Sequence, residues 1–181
     1  MHWDLDGVML WLRVTARFSG IFLAASLAAP ALALLWPSSF TQWMASNRHR
    51  FTLLFAFSHT LHLGGVMALV SLRPAQFFSR SGLVVLIGGG LGYVLIYYLA
   101  GMAFLRRKSP EMRDAKMQTV SSYILWVAFT LAFSIGLPRN PWIYAPLAAI
   151  MLFASAVRIF AKHTAGARQR LDQLHATKTK A

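Results

Sequence analysis

Two histidines, His59 and His62, lie near the middle of an apolar stretch of the sequence. The stretch from Phe51 to Leu72 has 22 residues and no formal charge, which is long enough for a helix to cross a bilayer core of roughly 30 Å. Residues three apart share one face of a helix, so the two imidazoles should lie side by side. An ionisable ring is costly at mid-depth and is therefore a candidate functional site.

The two histidines also have a purely structural interpretation. Their ring nitrogens would then bond to a backbone carbonyl, to Ser58, or to polar groups of a neighbouring helix, namely Thr119, Ser121 and Ser122. A metal held by protein side chains alone is disfavoured, because no Asp or Glu lies in the apolar stretches. A chlorophyll-type pigment, which needs one imidazole per magnesium ion, would suit the spacing, but no other residue points to it.

The composition sets the class of protein. Apolar residues make up 57% of the 181 residues and the mean hydropathy is +0.52, which is too apolar for an ordinary soluble domain. The absence of cysteine excludes disulfides, iron–sulfur clusters and thiolate-ligated zinc. The net charge of +13 comes from basic residues at the ends of apolar segments. That placement indicates membrane orientation and not nucleic-acid binding.

The apolar segments predict an all-α integral membrane bundle of about five transmembrane helices. The predicted spans are residues 12–36, 51–72, 83–105, 119–137 and 142–159. They form one transmembrane domain, residues 1–160, followed by a basic cytoplasmic tail, residues 161–181. The sequence leaves no room for a second globular domain.

The segments between and within the spans carry three local predictions. The spacing of Phe40, Trp43 and Met44 predicts a short interfacial helix before the second span. Residues 73–82 are predicted to form a loop, with Pro74 ending the second span. Gly88 and Gly92 make a small-xxx-small pair that predicts close helix packing, although the missing side chains could also leave a recess for a planar ligand.

The distribution of basic residues predicts the orientation. With five spans, thirteen Lys and Arg fall on one side and five on the other. The positive-inside rule then places the N-terminus outside and the C-terminus in the cytoplasm. We therefore expect a multi-pass protein of the bacterial inner membrane, in contact with the lipid bilayer.

Two segments resemble a known family. Residues 47–63, NRHRFTLLFAFSHTLHL, are similar to the N-R-R-x-L-G-L-x-F-A-x-S-H-x-x-H-L segment of ferric reductase-like transmembrane proteins. Residues 117–129, MQTVSSYILWVAF, are similar to their later L-H-T-x-G-x-Y-Y-L-W-x-x-F segment. The second segment departs from the family pattern, because Gln118 stands at the family's histidine and Ser121 at its glycine.

The resemblance implies a membrane bundle that holds b-type haem between histidines of different helices and passes electrons across the membrane. His59, His62 and the degenerate position Gln118 are then the candidate cofactor site, with a histidine as the iron ligand. His59 and His62 share a face of one helix, so they cannot clamp one haem between them. The chain could hold five-coordinate haem, take a second ligand from a partner, have lost the cofactor, or use Met67, Met102 or Met117.

Of the two histidines, we favour His59 as the iron ligand. Phe55 and Phe51 precede it by one and two helical turns and could pack against a macrocycle, while Gly64 and Gly65 leave room beyond His62.

Three functions therefore remain open. The first is a haem protein relaying electrons as a subunit of a larger membrane system, with a membrane protein or redox partner. The sequence shows no flavin or nicotinamide fingerprint, so a complete enzyme is not predicted from this chain. The second is a cofactor-free accessory or scaffold subunit that keeps the fold. The third is a small-solute transporter, which ranks last because no inverted repeat is evident.

Overall fold

The protein is an all-helical bundle. The computed structural model describes residues 4–106 and 115–178, and this part of the chain contains helices and no strand. Five of its helices are long and apolar enough to cross a membrane, which confirms the predicted fold class. The helices are α1 (Leu5–Leu35), α2 (Ser39–Ser46), α3 (Arg48–Leu72), α4 (Pro74–Arg106), α5 (Ala115–Gly136) and α6 (Pro141–Lys178).

Helix α1 is the central element, because it packs against α3, α5 and α6. Its start is capped by Asp4, whose side chain accepts a hydrogen bond from the Gly7 N–H at 2.7 Å. Its small residues permit close approach of neighbouring helices. A Cβ at Gly20 would lie 2.6 Å from the ring of Phe133 on α5, so this position accepts no side chain without displacement of that ring.

Helix α2 confirms the prediction of a short helix before the second span. Its first turn is closed by a capping box, in which the Ser38 hydroxyl accepts from the Thr41 N–H and the Thr41 hydroxyl accepts from the Ser38 N–H. Phe40 and Trp43 stack with their centroids 6.1 Å apart and are both exposed. The exposed aromatic face is the feature expected of a helix that lies at a membrane surface.

The prediction of a loop over residues 73–82 is wrong. Helix α3 ends at Leu72, Arg73 alone separates it from α4, and Pro74 is the first residue of α4. Proline suits this position, because the first turn of a helix has no acceptor for its N–H and the ring fixes φ near the helical value. Pro74 therefore starts a helix and does not merely stop one.

The prediction that Gly88 and Gly92 mediate close packing is also wrong within this chain. A Cβ added at either glycine would meet no atom within 4 Å. The reason lies in where α4 joins the bundle, because its buried residues are Ile96, Leu99 and Ala103, all in the later half of the helix. The glycines precede this half and face away from the other helices.

The interface between α1 and α3 is polar as well as apolar. The Ser19 hydroxyl donates to the Ser58 hydroxyl at 3.2 Å, and the Ser58 hydroxyl donates to the Thr15 carbonyl at 3.1 Å. The hydroxyls of Ser26 and Thr52 lie 2.8 Å apart further along the same interface. Hydrogen bonds of this kind hold membrane helices together where apolar contacts give little preference over lipid.

The apolar core lies between these helices. Phe55, Ile96 and Met151 are its largest fully buried side chains and come from α3, α4 and α6. Phe129 of α5 contacts Phe55 edge-on, with the ring centroids 5.6 Å apart. Phe55 lies one helical turn before His59 on α3, so His59 is next to this core.

Candidate functional site

His59 and His62 lie side by side on α3, as their spacing predicts. Their ring centroids are 5.0 Å apart and the ring planes differ by 17°. His59 is eleven residues from the start of α3, which places it about 16 Å along the helix. The pair therefore lies near the middle of a helix long enough to span a bilayer.

The imidazole of His62 is oriented by α1. Its Nδ1 lies 3.1 Å from the Leu12 carbonyl oxygen and 3.1 Å from the Thr15 hydroxyl oxygen. The Thr15 hydroxyl donates its own proton to the Trp11 carbonyl at 2.8 Å, so it can only accept from the ring. Nδ1 therefore carries the proton in the neutral imidazole, and Nε2 keeps a lone pair.

His59 lies among aromatic rings. Its centroid is 5.0 Å from that of Tyr93, 5.3 Å from that of Phe129 and 5.9 Å from that of Phe55. Its backbone carbonyl accepts a hydrogen bond from the Tyr93 hydroxyl at 3.2 Å. The ring nitrogen Nδ1 is buried without a hydrogen-bond partner, and such a group is costly unless a ligand or water satisfies it.

The geometry limits how this pair could hold haem. The lone pair of an imidazole lies in the plane of its ring. The two stacked ring planes are nearly parallel, so the lone pairs cannot both point at one iron between the rings. The pair therefore does not fit a haem clamped by both rings. At most one imidazole of the pair can face one iron, and His62 is the ring whose Nδ1–H is held by a carbonyl.

Gln118, the degenerate family position, is separate from the histidine pair. It lines a cavity together with His49, Thr52 and Phe55, whereas neither His59 nor His62 lines that cavity. The structure therefore does not bring all three candidate residues to one place.

The methionines considered as second ligands are not arranged around the pair either. Met67 is exposed and lies five residues beyond His62, about 140° around the helix. Met102 and Met117 lie at the end of the bundle that holds Gln118. No group of three or more His, Cys, Asp or Glu in the described part of the chain could hold a metal ion.

The sequence did not reveal the partners of His62. The structural interpretation named a backbone carbonyl, Ser58 and the polar residues early in α5; the ring does bond to a backbone carbonyl, that of Leu12, but its side-chain partner is Thr15 of α1. Ser58 instead bonds to α1, and the Ser122 hydroxyl donates to the Gln118 carbonyl at 2.7 Å. Thr15 could have been recognised as a candidate partner of His62, because it is a polar residue in the first apolar segment.

Comparisons of the chain with protein-family models, with curated proteins and with solved structures found no match. The class of protein therefore follows from its own fold, which is that of a multi-pass helical membrane protein. The similarity to ferric reductase-like proteins stays a prediction from the sequence.

Proposed function

We propose that this protein is a membrane haem protein of ferric reductase-like type that relays electrons as a subunit of a larger membrane system. The observation that carries the proposal is the orientation of His62. Its Nδ1–H is directed at the Leu12 carbonyl and the Thr15 hydroxyl, so Nε2 would be the nitrogen that holds the iron of a haem. Metal-ligating histidines commonly have their second nitrogen held in this way.

A b-type haem, when bound, supplies one-electron oxidation and reduction of its iron. The chain's own residues would hold and shield it. Leu12 and Thr15 fix the tautomer of His62, and the rings of Phe55 and Phe129 exclude water from the adjacent part of the bundle. The buried Nδ1 of His59 is a second nitrogen without a protein partner.

The same arrangement supports the proposed role as a subunit. The chain offers one oriented imidazole, so any second protein ligand to the iron would come from a partner protein. An electron relay also needs a donor and an acceptor, which we propose are membrane or redox partner proteins. The proposed location is the bacterial inner membrane, with the C-terminus in the cytoplasm, because basic residues are concentrated on that side.

A second candidate is a cofactor-free accessory or scaffold subunit. It is favoured by the packing around His59, where three aromatic centroids and the His62 ring lie within 5.9 Å. The two cavities at α3 are lined by neither histidine. In this case the hydrogen bonds of His62 serve to join α3 to α1.

The visible spectrum decides between the two candidates. The protein is purified from its native membrane in mild detergent, with any partners that remain bound, and haem is quantified by its Soret band. We expect a Soret band that His62→Ala abolishes and that His59→Ala shifts or weakens. His163→Ala is the matched control, because His163 is exposed on α6 and should leave the band unchanged.

Two outcomes contradict the haem proposal. A wild-type preparation with no Soret absorbance would leave the accessory subunit as the function. A band that survives both His62→Ala and His59→Ala would show that the iron is held elsewhere.

A further inference from the structure

A cavity of about 430 Å³ lies at the end of the bundle where α1 and α4 finish and α3 and α5 begin. Its volume is within the range of about 300–1,000 Å³ that is usual for small-molecule sites. Pro30 and Ser46 line it and are exposed, so the cavity reaches the surface. It is separate from the histidine pair of α3.

Gln118 indicates that the cavity accepts a polar ligand. Its side chain is nine-tenths buried, with 9% of its surface exposed, and it lines the cavity. Its backbone carbonyl accepts from Ser122, but its side-chain amide makes no hydrogen bond to the described residues. Because Gln118 lines the cavity, its amide N–H groups are available to donate to a ligand with acceptor oxygens.

Arg48 gives the cavity a positively charged wall, and His49 lines the cavity next to it. The Nε of Arg48 donates to the Ser26 carbonyl at 3.1 Å, which fixes the guanidinium beside the cavity. The first turn of α3 begins at Arg48 and receives no side-chain cap from Asn47, so its partial positive charge adds to that of the guanidinium. None of the described residues that line the cavity is acidic.

The remaining lining is apolar. Leu23, Phe55 and Leu99 contribute side chains from α1, α3 and α4, and all three belong to the buried core. A ligand that filled the cavity would therefore meet cationic and amide donors in one part and hydrocarbon in another. An amphiphile with an anionic headgroup has this division of chemistry.

We propose that this cavity binds the phosphate-bearing headgroup of an anionic phospholipid. Arg48, His49 and Gln118 supply donors to the phosphate oxygens, and the first part of an acyl chain lies along Leu23 and Phe55. The cavity is at the end of the bundle that carries most of the basic residues, which is where anionic headgroups concentrate. This proposal does not depend on haem binding.

The test is native mass spectrometry of the full chain in non-ionic detergent, titrated with phosphatidylglycerol or with phosphatidylcholine of the same acyl chains. We expect one phosphatidylglycerol to bind at least about tenfold more tightly than phosphatidylcholine. Arg48→Gln should reduce this preference about tenfold, because it removes a charge-assisted hydrogen bond. Arg50→Gln is the matched control, because Arg50 is exposed and does not line the cavity.

Gln118→Leu keeps the test decisive if Arg48→Gln does not fold. No hydrogen bond joins the Gln118 amide to the described residues, so its loss breaks none of the bonds described here, and we expect about threefold weaker binding of phosphatidylglycerol. Inorganic phosphate, as a separate titrant, should not displace the lipid.

Three results would overturn the proposal. They are equal binding of the two lipids, an effect of Arg48→Gln no larger than that of Arg50→Gln, and displacement of the lipid by inorganic phosphate, which would assign the site to the free anion. A Soret band lost in His49→Ala would assign the cavity to haem instead. That result is distinct from loss of the band in His62→Ala, which tests the proposed function.

Discussion

Thr15 and His62 form the contact on which the chemistry of the candidate site depends. Their hydrogen bond crosses from α1 to α3, and the Thr15 proton is committed to the Trp11 carbonyl. The ring of His62 is therefore fixed in one tautomer by groups 47 and 50 residues away in sequence. The tautomer of His62 is therefore set by α1 and not by α3, the helix that carries His62.

The sequence predicted that the two histidines share one face of a helix, but it predicted neither the stacking of their rings nor the partners of His62. The i,i+3 spacing follows from the geometry of a single helix, so His59 and His62 could be placed on one face in advance. The rotation of α3 against α1 depends on side-chain packing between helices, which the spacing does not encode. For this reason Leu12 and Thr15 were missed. The iron ligand stays a prediction, with His59 favoured by the sequence and His62 proposed from the orientation of its ring.

The first prediction concerns the coupling between Thr15 and His62. In a double-mutant cycle with Thr15→Val and His62→Ala, we expect a coupling energy of about 0.6 kcal/mol, and at most about 1.7, as for other hydrogen bonds between membrane helices. The measurement is the free energy of unfolding of the purified protein in detergent, for the two single variants and the double variant.

A control cycle replaces His62→Ala with His163→Ala, whose ring is exposed on α6 and far from Thr15 in the chain. That cycle should be additive. If the Thr15/His62 cycle is also additive, the contact does not contribute to stability and the tautomer argument fails.

At the scale of elements, the same residue type has opposite roles in two helices. Gly20 on α1 lies under the ring of Phe133, whereas Gly92 on α4 has open space where a Cβ would be. Both belong to small-xxx-small patterns, so the pattern alone did not distinguish a packed face from an unpacked one. The existence of each helix could be predicted from its apolar residues, but its packed face could not.

The second prediction compares Gly20→Leu with Gly92→Leu. Gly20→Leu should destabilise the bundle by about 1–3 kcal/mol, because the new side chain must displace the Phe133 ring. Gly92→Leu should leave stability unchanged or raise it slightly, because leucine favours helix more than glycine does. Thermal unfolding in detergent measures both, and equal destabilisation by the two substitutions would show that the Gly92 face is packed after all.

At the scale of the whole molecule, the basic residues are concentrated in a few segments near the ends of the apolar helices. Most of the Lys and Arg in the sequence lie at the start of α3, between residues 106 and 116, and from residue 158 onward. The bundle places the ends of α1 and α4 and the starts of α3 and α5 together around one cavity. Because the apolar helices alternate in direction, Arg48 and Lys116 lie at this end of the bundle, and the cytoplasmic location of this end stays a prediction.

The last prediction concerns this orientation, and the chain offers a direct test because it contains no cysteine. Asn140 lies in the exposed connection between α5 and α6, and Ser39 is exposed at the start of α2. If the basic side is cytoplasmic, a membrane-impermeant maleimide added to intact cells should label Asn140→Cys and not Ser39→Cys. Both variants should be labelled after the membrane is permeabilised, which controls for side-chain accessibility, and labelling of Ser39→Cys in intact cells would reverse the orientation.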